Sequence, residues 1–196
     1  METTFEALHP RKTHGKFAAV EKTPAEIHLM VFDRVEWADA FDEASAIETS
    51  GRKLSELAAH SERAVRAAVA QNPSASVSDL RVLSEDDDYG VRRNVAGNPR
   101  TAPVDIAGLA ADVNATIRQA AHSHPNLPLR VQQRIMDSGT EVDRRSLAQN
   151  PGASVSFLEK LAKSDDLLVR HRVIQNPASS AKARATAETH GLPHTQ

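Results

Sequence analysis

Five prolines recur at a constant interval of 26 residues, and this spacing limits the possible folds more than any other feature of the chain. They are Pro73, Pro99, Pro125, Pro151 and Pro177, and all but Pro125 directly follow Asn. A fixed period of about 20 to 50 residues is typical of repeat proteins, because each repeat is too small to bury its apolar face alone and stacks on its neighbours. The sequence therefore predicts a stacked array of short repeats.

Apolar residues flank each proline at helical spacing. Val65 and Val69 precede Pro73 and are four residues apart, and Leu80 and Leu83 follow it and are three residues apart. These separations match one face of an α-helix and not the alternation of a strand. Proline lacks the N–H that would continue a helix, and it disfavours the helical conformation in the residue before it. Each repeat is therefore predicted to consist of two short helices, the first of which ends at the Asn-Pro.

Both helices are predicted to begin after a residue whose side-chain oxygen accepts a first-turn N–H. The predicted caps of the first helices are Ser61, Asp88, Asn114, Thr140 and Asp166. The predicted caps of the second helices are Ser76, Thr101, Ser154 and Ser180.

The composition agrees with small helices and excludes several kinds of site. Hydrophobic residues make up 40% of the chain but aromatic residues only 4%, as expected for a core of Ala, Val and Leu. The chain contains no Cys, which excludes disulfides, thiolate zinc sites, iron–sulfur clusters and cysteine nucleophiles. It has no secretion signal and no run of about 18 apolar residues. We therefore expect a cytoplasmic protein with no membrane association, no cofactor and no metal site.

Four segments are predicted along the chain. Residues 1–22 and 190–196 are expected to be flexible tails, and residues 47–189 to form the repeat array. Residues 23–46 are expected to form an N-terminal capping helix, because a T-x-x-E capping box opens the segment and apolar residues follow at helical spacing. Such a helix would cover the apolar face of the first repeat.

The repeats resemble a known family. The stretch YGVRRNVAGNPRTAPVDIAGLA, from Tyr89 to Ala110, is similar to the units of the variant leucine-rich repeat family of HEAT-like helical repeats, and the similarity extends over about 140 of the 196 residues. The resemblance implies an all-α fold: a right-handed α-solenoid of about five 26-residue two-helix repeats. Three residues depart from the repeat columns: His124 from Asn, Gln132 from Leu and Asp143 from Val. The repeats around them are expected to pack less well.

An arginine directly follows the Val column in all five repeats. These residues, called the Arg ladder below, are Arg66, Arg92, Arg118, Arg144 and Arg170. Equivalent positions of stacked helices lie about 8 to 10 Å apart, so the arginines are predicted to line one surface. Two roles stay open: the ladder binds a partner, or it bridges carboxylates of the neighbouring repeat and stabilises the array. The Arg ladder is the candidate partner-binding site.

The other polar columns are interpreted structurally. Asn72, Asn98, Asn150 and Asn176 are expected to bond the backbone at the proline turn. His122 and His124 are two residues apart but lack companion metal ligands. They are expected to be surface or capping residues.

The sequence contains no G-x-S-x-G, P-loop, H-E-x-x-H or dinucleotide-binding motif. With the repeat, this predicts a non-enzymatic scaffold for protein–protein interaction; an enzyme with an active site in a groove is a third hypothesis. The alternative to protein binding is a nucleic-acid-binding protein that places the Arg ladder on phosphates, with Arg93, Arg145 and Arg172 adding charge. Residues 61–180 carry 15 Lys and Arg against 14 Asp and Glu, and few aromatic residues for base stacking. Protein binding is therefore favoured.

Overall fold

The structure, a computed structural model, describes residues 37–190. The predicted tail at residues 1–22 lies wholly outside this range. Of the predicted capping helix at residues 23–46, only residues 37–46 are described, and of the predicted tail at residues 190–196, only residue 190. These assignments stay predictions.

Every regular element within the described residues is an α-helix, which confirms the all-α prediction for that part of the chain. The chain divides into two compact units, residues 1–39 and 40–196, and the helices below belong to the second unit apart from the first three residues of α1. In chain order the helices are α1 (37–45, as far as it is described), α2 (Gly51–Leu57), α3 (Arg63–Gln71), α4 (Val77–Leu83), α5 (Tyr89–Gly97), α6 (Pro103–Leu109), α7 (Ala115–His122), α8 (Leu129–Ser138), α9 (Glu141–Gln149), α10 (Val155–Leu161), α11 (Leu167–Gln175) and α12 (Ala181–Thr189).

The helix starts repeat with the period of the prolines. The odd-numbered helices begin at Arg63 and then every 26 residues as far as Leu167, and the even-numbered helices begin at Gly51 and then every 26 residues as far as Ala181. Each of the five prolines lies between an odd helix and the even helix that follows it. These two helices are called a helix pair below.

Side chains cap most of the helix starts. The predicted caps of α5, α7, α9 and α11 accept backbone N–H groups, which confirms Asp88, Asn114, Thr140 and Asp166. Three predicted caps are wrong. Ser154 does precede α10, but its side chain makes no cap bond and lies against the hydroxyl of Ser156. Helix α3 begins after Glu62 rather than Ser61. Helix α6 begins after Ala102, because the hydroxyl of Thr101 is buried and donates to the carbonyl of Val95 instead.

The core is built from the apolar columns that the sequence predicts. On the odd helices, Val65, Val91, Ile117 and Val169 are fully buried, and so are the residues of the second column: Val69, Val95, Ala121, Leu147 and Val173. On the even helices, Leu54, Leu80, Ile106 and Leu158 are fully buried. Successive odd helices from α3 to α11 pack directly against one another, and each even helix packs against at least one flanking odd helix. Burial of each such side chain contributes roughly 1.5 to 3 kcal/mol, so the stability of one helix pair depends on its neighbours.

Candidate functional site

The Asn residues before the prolines connect neighbouring helix pairs. The side-chain NH2 of Asn98 donates to the carbonyls of Ala70 and Asn72 at 2.8 and 3.0 Å, and its side-chain oxygen accepts the N–H of Arg100. Asn72, Asn150 and Asn176 repeat this pattern with carbonyls 28 and 26 residues earlier. The turn bond was expected from the sequence, but the two bonds to the preceding helix pair were not. We call these residues, with His124, the Asn ladder.

His124 takes the place of Asn in the ladder. Its Nδ1 lies 3.0 Å from the N–H of Asn126 and accepts from it, and its Nε2 lies 2.9 Å from the carbonyl of Asn98. Since Nδ1 accepts, Nε2 carries the proton and donates. Burial lowers the pKa of His124, partly offset by the bond to Asn98. His124 is therefore a buried ladder member, and the expectation of a surface or capping residue is wrong.

The Arg ladder binds the loops that precede the odd helices. One terminal nitrogen of Arg66 donates to the carbonyls of His60 and Ser61 at 2.9 and 2.8 Å. Arg92, Arg118 and Arg170 bond carbonyls at the same separations of six and five residues. Four of the five ladder arginines thus hold the turn before their own helix.

Two members of the Arg ladder also bridge to the next helix pair. Arg66 binds Asp86 through Nε and the second terminal nitrogen at 2.6 and 3.0 Å, and Arg92 binds Asp112 at 2.8 and 3.4 Å. Burial raises the pKa of both aspartates, but the bonds from these arginines and from backbone N–H groups outweigh it and hold each pKa below its usual value. The bond from Asp86 in turn raises the pKa of Arg66.

The remaining ladder arginines lack this bridge for a local reason. The residues 20 positions after Arg118, Arg144 and Arg170 are Ser138, Ser164 and His190, none of which carries a carboxylate. Arg144 instead pairs with Glu141 on its own helix at 2.9 Å. These contacts describe a stabilising role for the Arg ladder, which was one of the two roles left open, and the partner-binding role stays a prediction.

His122 and Asp143 form a part-buried pair between α7 and α9. Nδ1 of His122 lies 3.2 Å from a carboxylate oxygen of Asp143 without hydrogen-bond alignment, and Nε2 faces the carbonyl of Ala110 at 3.3 Å. Burial lowers the pKa of His122, and the Asp143 charge offsets this in part. His122 is only 4% exposed, so it is neither a surface residue nor a cap. Asp143 also completes a capping box with Thr140, which explains its place in the Val column.

Gln132 is buried and fully bonded. Its NH2 donates to the carbonyls of Leu127 and Gly152, both at 3.0 Å, and its oxygen accepts the N–H of Ser154 at 2.9 Å. Ser154 is the residue that precedes the first turn of α10. Gln132 therefore fastens α8 to the start of α10, and the expectation that it weakens packing has no support in its contacts.

The outward face of the odd helices carries no acidic residue. We call this surface the odd-helix face. It consists of four positions counted from the start of each of α3, α5, α7, α9 and α11: the second, fifth, sixth and ninth, where the first residue of the helix is position one. All twenty of these residues except Ala68 are exposed or half-buried. Its arginines are Arg93, Arg145 and Arg172, and it carries one histidine, His171; the other sixteen residues are Ala, Gly, Ser, Thr, Asn, Gln, Val and Leu. Arg145 bonds Asp166 at 2.7 Å. Within the described residues, the guanidinium groups of Arg93 and Arg172 have no ion pair.

The acidic residues gather instead in the loops that precede the odd helices. They are Glu62, Glu85, Asp86, Asp87, Asp88, Asp112, Asp165 and Asp166. Acids are favourable there because a helix N-terminus carries partial positive charge. The acids therefore line one edge of the odd-helix face.

A groove with a volume of about 270 Å³ opens on the odd-helix face between α1, α3 and α5. Its walls include Phe41 of α1, Ala64, Ala67 and Gln71 of α3, and Asn94 of α5. Because the α3 side chains are short, the groove is shallow and largely uncharged. Sequence reasoning missed both this groove and the acid-free face, although the face is visible once the helix starts are known.

Within residues 37–190 no three His, Asp or Glu side chains come together as metal ligands. In the same range, no helix has the length and apolar character that a bilayer span requires.

Comparisons with protein-family models, with curated proteins and with solved structures gave no match to this chain.

Proposed function

We propose that residues 47–189 form a right-handed α-solenoid of about five 26-residue repeats of the variant leucine-rich repeat kind, and that this solenoid is a non-enzymatic scaffold that binds another protein. The 26-residue recurrence of helix starts and of the Asn ladder bonds supports the repeat. Each repeat contributes the same surface positions, so the array presents one extended face.

The observation that carries the binding role is the division of polar groups between inside and outside. Four ionisable side chains in partly buried positions, Arg66, Asp86, His122 and Asp143, are occupied by structural contacts. The odd-helix face carries mostly neutral residues together with the exposed Arg93 and Arg172. A reaction needs a converging set of acid, base or nucleophile, whereas a lack of acids and the presence of exposed Arg are typical of a protein interface.

The Arg ladder has a supporting part in this proposal. Four of its members hold the loops that flank the odd-helix face. We therefore assign partner contact to the odd-helix face. Of the Arg ladder we retain only Arg144 as suited to direct contact, because its one side-chain bond within the described residues is to the exposed Glu141.

Nucleic-acid binding is the second candidate, and the unpaired Arg93 and Arg172 favour it. Phosphate binding weakens steeply with salt because bound counterions are released. A titration of single-stranded and duplex oligonucleotides at several salt concentrations tests this candidate directly. Binding with a salt slope that shrinks in Arg93→Ala would support it over a protein partner.

Site-specific photocrosslinking in the native cell tests the scaffold role. We expect a photoreactive residue at Gln71 or Gln149, on the odd-helix face, to crosslink to one other protein, because those positions would lie within the interface. The same residue at Val82 or Lys160, on even helices, is the matched control. Crosslinks from Val82 or Lys160 alone would place the interface on the even helices instead of the odd-helix face. The absence of any crosslinked protein from all four sites would contradict the scaffold role.

A further inference from the structure

We infer that the odd-helix face binds an extended, carboxylate-bearing segment of the partner protein, with one small apolar side chain in the groove between α1, α3 and α5. This inference rests on the proposed scaffold function and specifies the chemistry of the partner. It is carried by the charge pattern of the face, by its unpaired cations and by the position of the groove.

The charge pattern selects for acidic ligands. Over five successive helices, no acidic residue occupies any of the twenty positions of the face, while residues 61–180 as a whole contain nearly equal numbers of acids and bases. A carboxylate placed on the face therefore meets no like charge there. A basic ligand would find no counter-ion on the face.

Two cations are available to such a ligand. Arg93 and Arg172 are exposed, in contrast with Arg66 and Arg92, whose side chains are 19% and 17% exposed and paired. A free guanidinium is suited to bidentate binding of a carboxylate. Arg93 follows Ala67 by one helix spacing, and Ala67 lines the groove. The first anchor carboxylate would therefore lie beside the groove.

The separation of the cations defines the length of the ligand. Arg93 is on α5 and Arg172 on α11, which is three helix spacings away. At about 8 to 10 Å per spacing this is roughly 24 to 30 Å, which about eight or nine extended residues span at about 3.3 Å each. A single extended segment can thus reach the groove and both arginines.

The rim of the face favours a peptide over a nucleic acid. Glu85, Asp87 and Asp165 are exposed in the loops along one edge. A nucleic acid carries a charge on every nucleotide and would bring several phosphates near these acids, whereas a peptide can place carboxylates only at the arginines. The twenty positions of the face include no aromatic side chain on which successive bases could stack, and Phe41 in the groove wall supplies a single ring.

The test is a fluorescence anisotropy titration of the full-length protein with a fluorescein-labelled 14-residue peptide. The peptide carries Leu-Glu near one end and Glu-Glu eight residues later, separated by Ser and Gly, and is made in both sequence directions. We expect binding that weakens with salt. The Arg93→Glu, Arg172→Glu double variant should raise Kd at least tenfold, and Ala64→Tyr, which fills the groove without changing charge, at least threefold.

The control is the Arg81→Glu, Arg130→Glu double variant, which makes the same charge change at exposed arginines of even helices and should alter Kd less than twofold. Circular dichroism verifies that each variant folds. If the Arg93→Glu, Arg172→Glu variant unfolds, the Arg93→Gln, Arg172→Gln double variant takes its place. Equal Kd in the face and control variants, or no peptide binding, overturns the inference. The inference is also overturned if the protein binds a 14-nucleotide single strand, a peptide of residues 1–36, or a second copy of itself, measured by sedimentation, more strongly than it binds the acidic peptide.

Failure of this inference and failure of the scaffold role are distinguishable. If the peptide does not bind but Gln71 and Gln149 still crosslink to a protein, the partner is not acidic and the scaffold role stands. If no position crosslinks, the scaffold role itself fails.

Discussion

His124 shows how a single side chain can replace Asn in the ladder. The imidazole keeps the bond to the carbonyl 26 residues earlier and the bond from the N–H two residues later, but it has no described bond to the carbonyl 28 residues earlier. It also introduces a titratable group into a buried position. Neutral imidazole is required, because a protonated Nδ1 cannot accept the N–H of Asn126.

We predict that His124→Asn reduces the loss of stability in mild acid. The folded-state pKa of His124 is lowered by burial, so the unfolded chain binds the proton first as the pH falls below about 6.5. Its contribution to stability is complete above that pH and declines below it. Urea unfolding at about pH 7.5 and about pH 5.5 should show a smaller decrease in the variant. Part of the decrease in stability should remain in the variant, because burial also lowers the pKa of His122.

At the higher pH, His124→Asn should also stabilise the protein by about 1 kcal/mol, because the amide can make the missing second bond. An unchanged pH dependence would mean that His124 is not buried in the neutral form.

The two classes of ladder arginine should differ in their contribution to stability. Arg92→Ala removes charge-assisted bonds to Asp112 and two carbonyl bonds, and we expect a loss of about 2 kcal/mol in the free energy of unfolding. Arg144→Ala removes one exposed pair and should cost about 0.5 kcal/mol or less. Urea denaturation of both variants measures the difference. Equal losses would contradict the structural role of the Arg ladder.

Helix α8 differs from the other even helices in its end. It continues to Ser138, so only Gly139 and Thr140 separate it from α9, whereas five residues separate the other even helices from the next odd helix. A Cβ at Gly139 would approach the carbonyl oxygen of Ile135 to 2.5 Å, so a side chain at this tight connection requires the backbone to shift. The extra turn ends at Ser138, which is 20 residues after Arg118, the offset at which Arg66 meets Asp86 and Arg92 meets Asp112. Because Ser138 has no carboxylate, Arg118 has no such bridge.

We predict that Gln132→Leu destabilises the protein although it restores the Leu column. The change leaves the carbonyls of Leu127 and Gly152 and the N–H of Ser154 without their bonds. Unpaired buried groups cost about 1 to 3 kcal/mol, which exceeds the gain from an apolar side chain that fits no preformed space. Thermal unfolding followed by circular dichroism measures the change.

Gln133→Leu is the matched control, because Gln133 is exposed and bonds only Asp137. We expect its unfolding midpoint to stay within about 1 °C of the original, as is usual for an exposed site. A more stable Gln132→Leu variant would show that column packing outweighs the polar bonds.

At the scale of the whole molecule, contacts between helix pairs recur in register. Arg66 bonds Asp86, and one helix pair later Arg92 bonds Asp112 in the same way. Likewise, Asn98 donates to the carbonyl of Asn72, and Asn176 donates to the carbonyl of Asn150. If the proposed solenoid is correct, a complete helix pair is exchangeable. Removing one would bring equivalent surfaces together.

We predict that deletion of Pro73–Asn98, a segment of exactly one period, leaves a helical and soluble protein. The deletion joins Asn72 to Pro99, and Arg66 then faces Asp112. Stability should fall, because stacked arrays gain stability from each interface. Circular dichroism and gel filtration provide the measurement. Deletion of residues 73–85, half a period, is the control and should aggregate; similar behaviour of both deletions would contradict the register.

Much of the fold was predictable because its signals are local. The apolar columns and four first-helix caps depend on residues within a few positions of one another, where helix geometry is constant. The 26-residue period follows directly from the spacing of the prolines along the chain. The candidate site was predictable only in part. The five arginines were found, but their bonds to loop carbonyls and to Asp86 and Asp112 were left as one of two alternatives. The two histidines were assigned wrongly because burial depends on distant helices.

The sequence by itself determined where most helices start and stop and which apolar side chains form the core, since spacing and capping act over one or two turns. Only the tertiary structure decided which polar groups meet. The bonds of the Asn ladder, the bridge from Arg66 to Asp86 and the pair of His122 with Asp143 each join residues 20 to 28 positions apart. Such bonds depend on the distance and rotation between packed helices, and these are set by the fit of whole side-chain layers rather than by any local pattern.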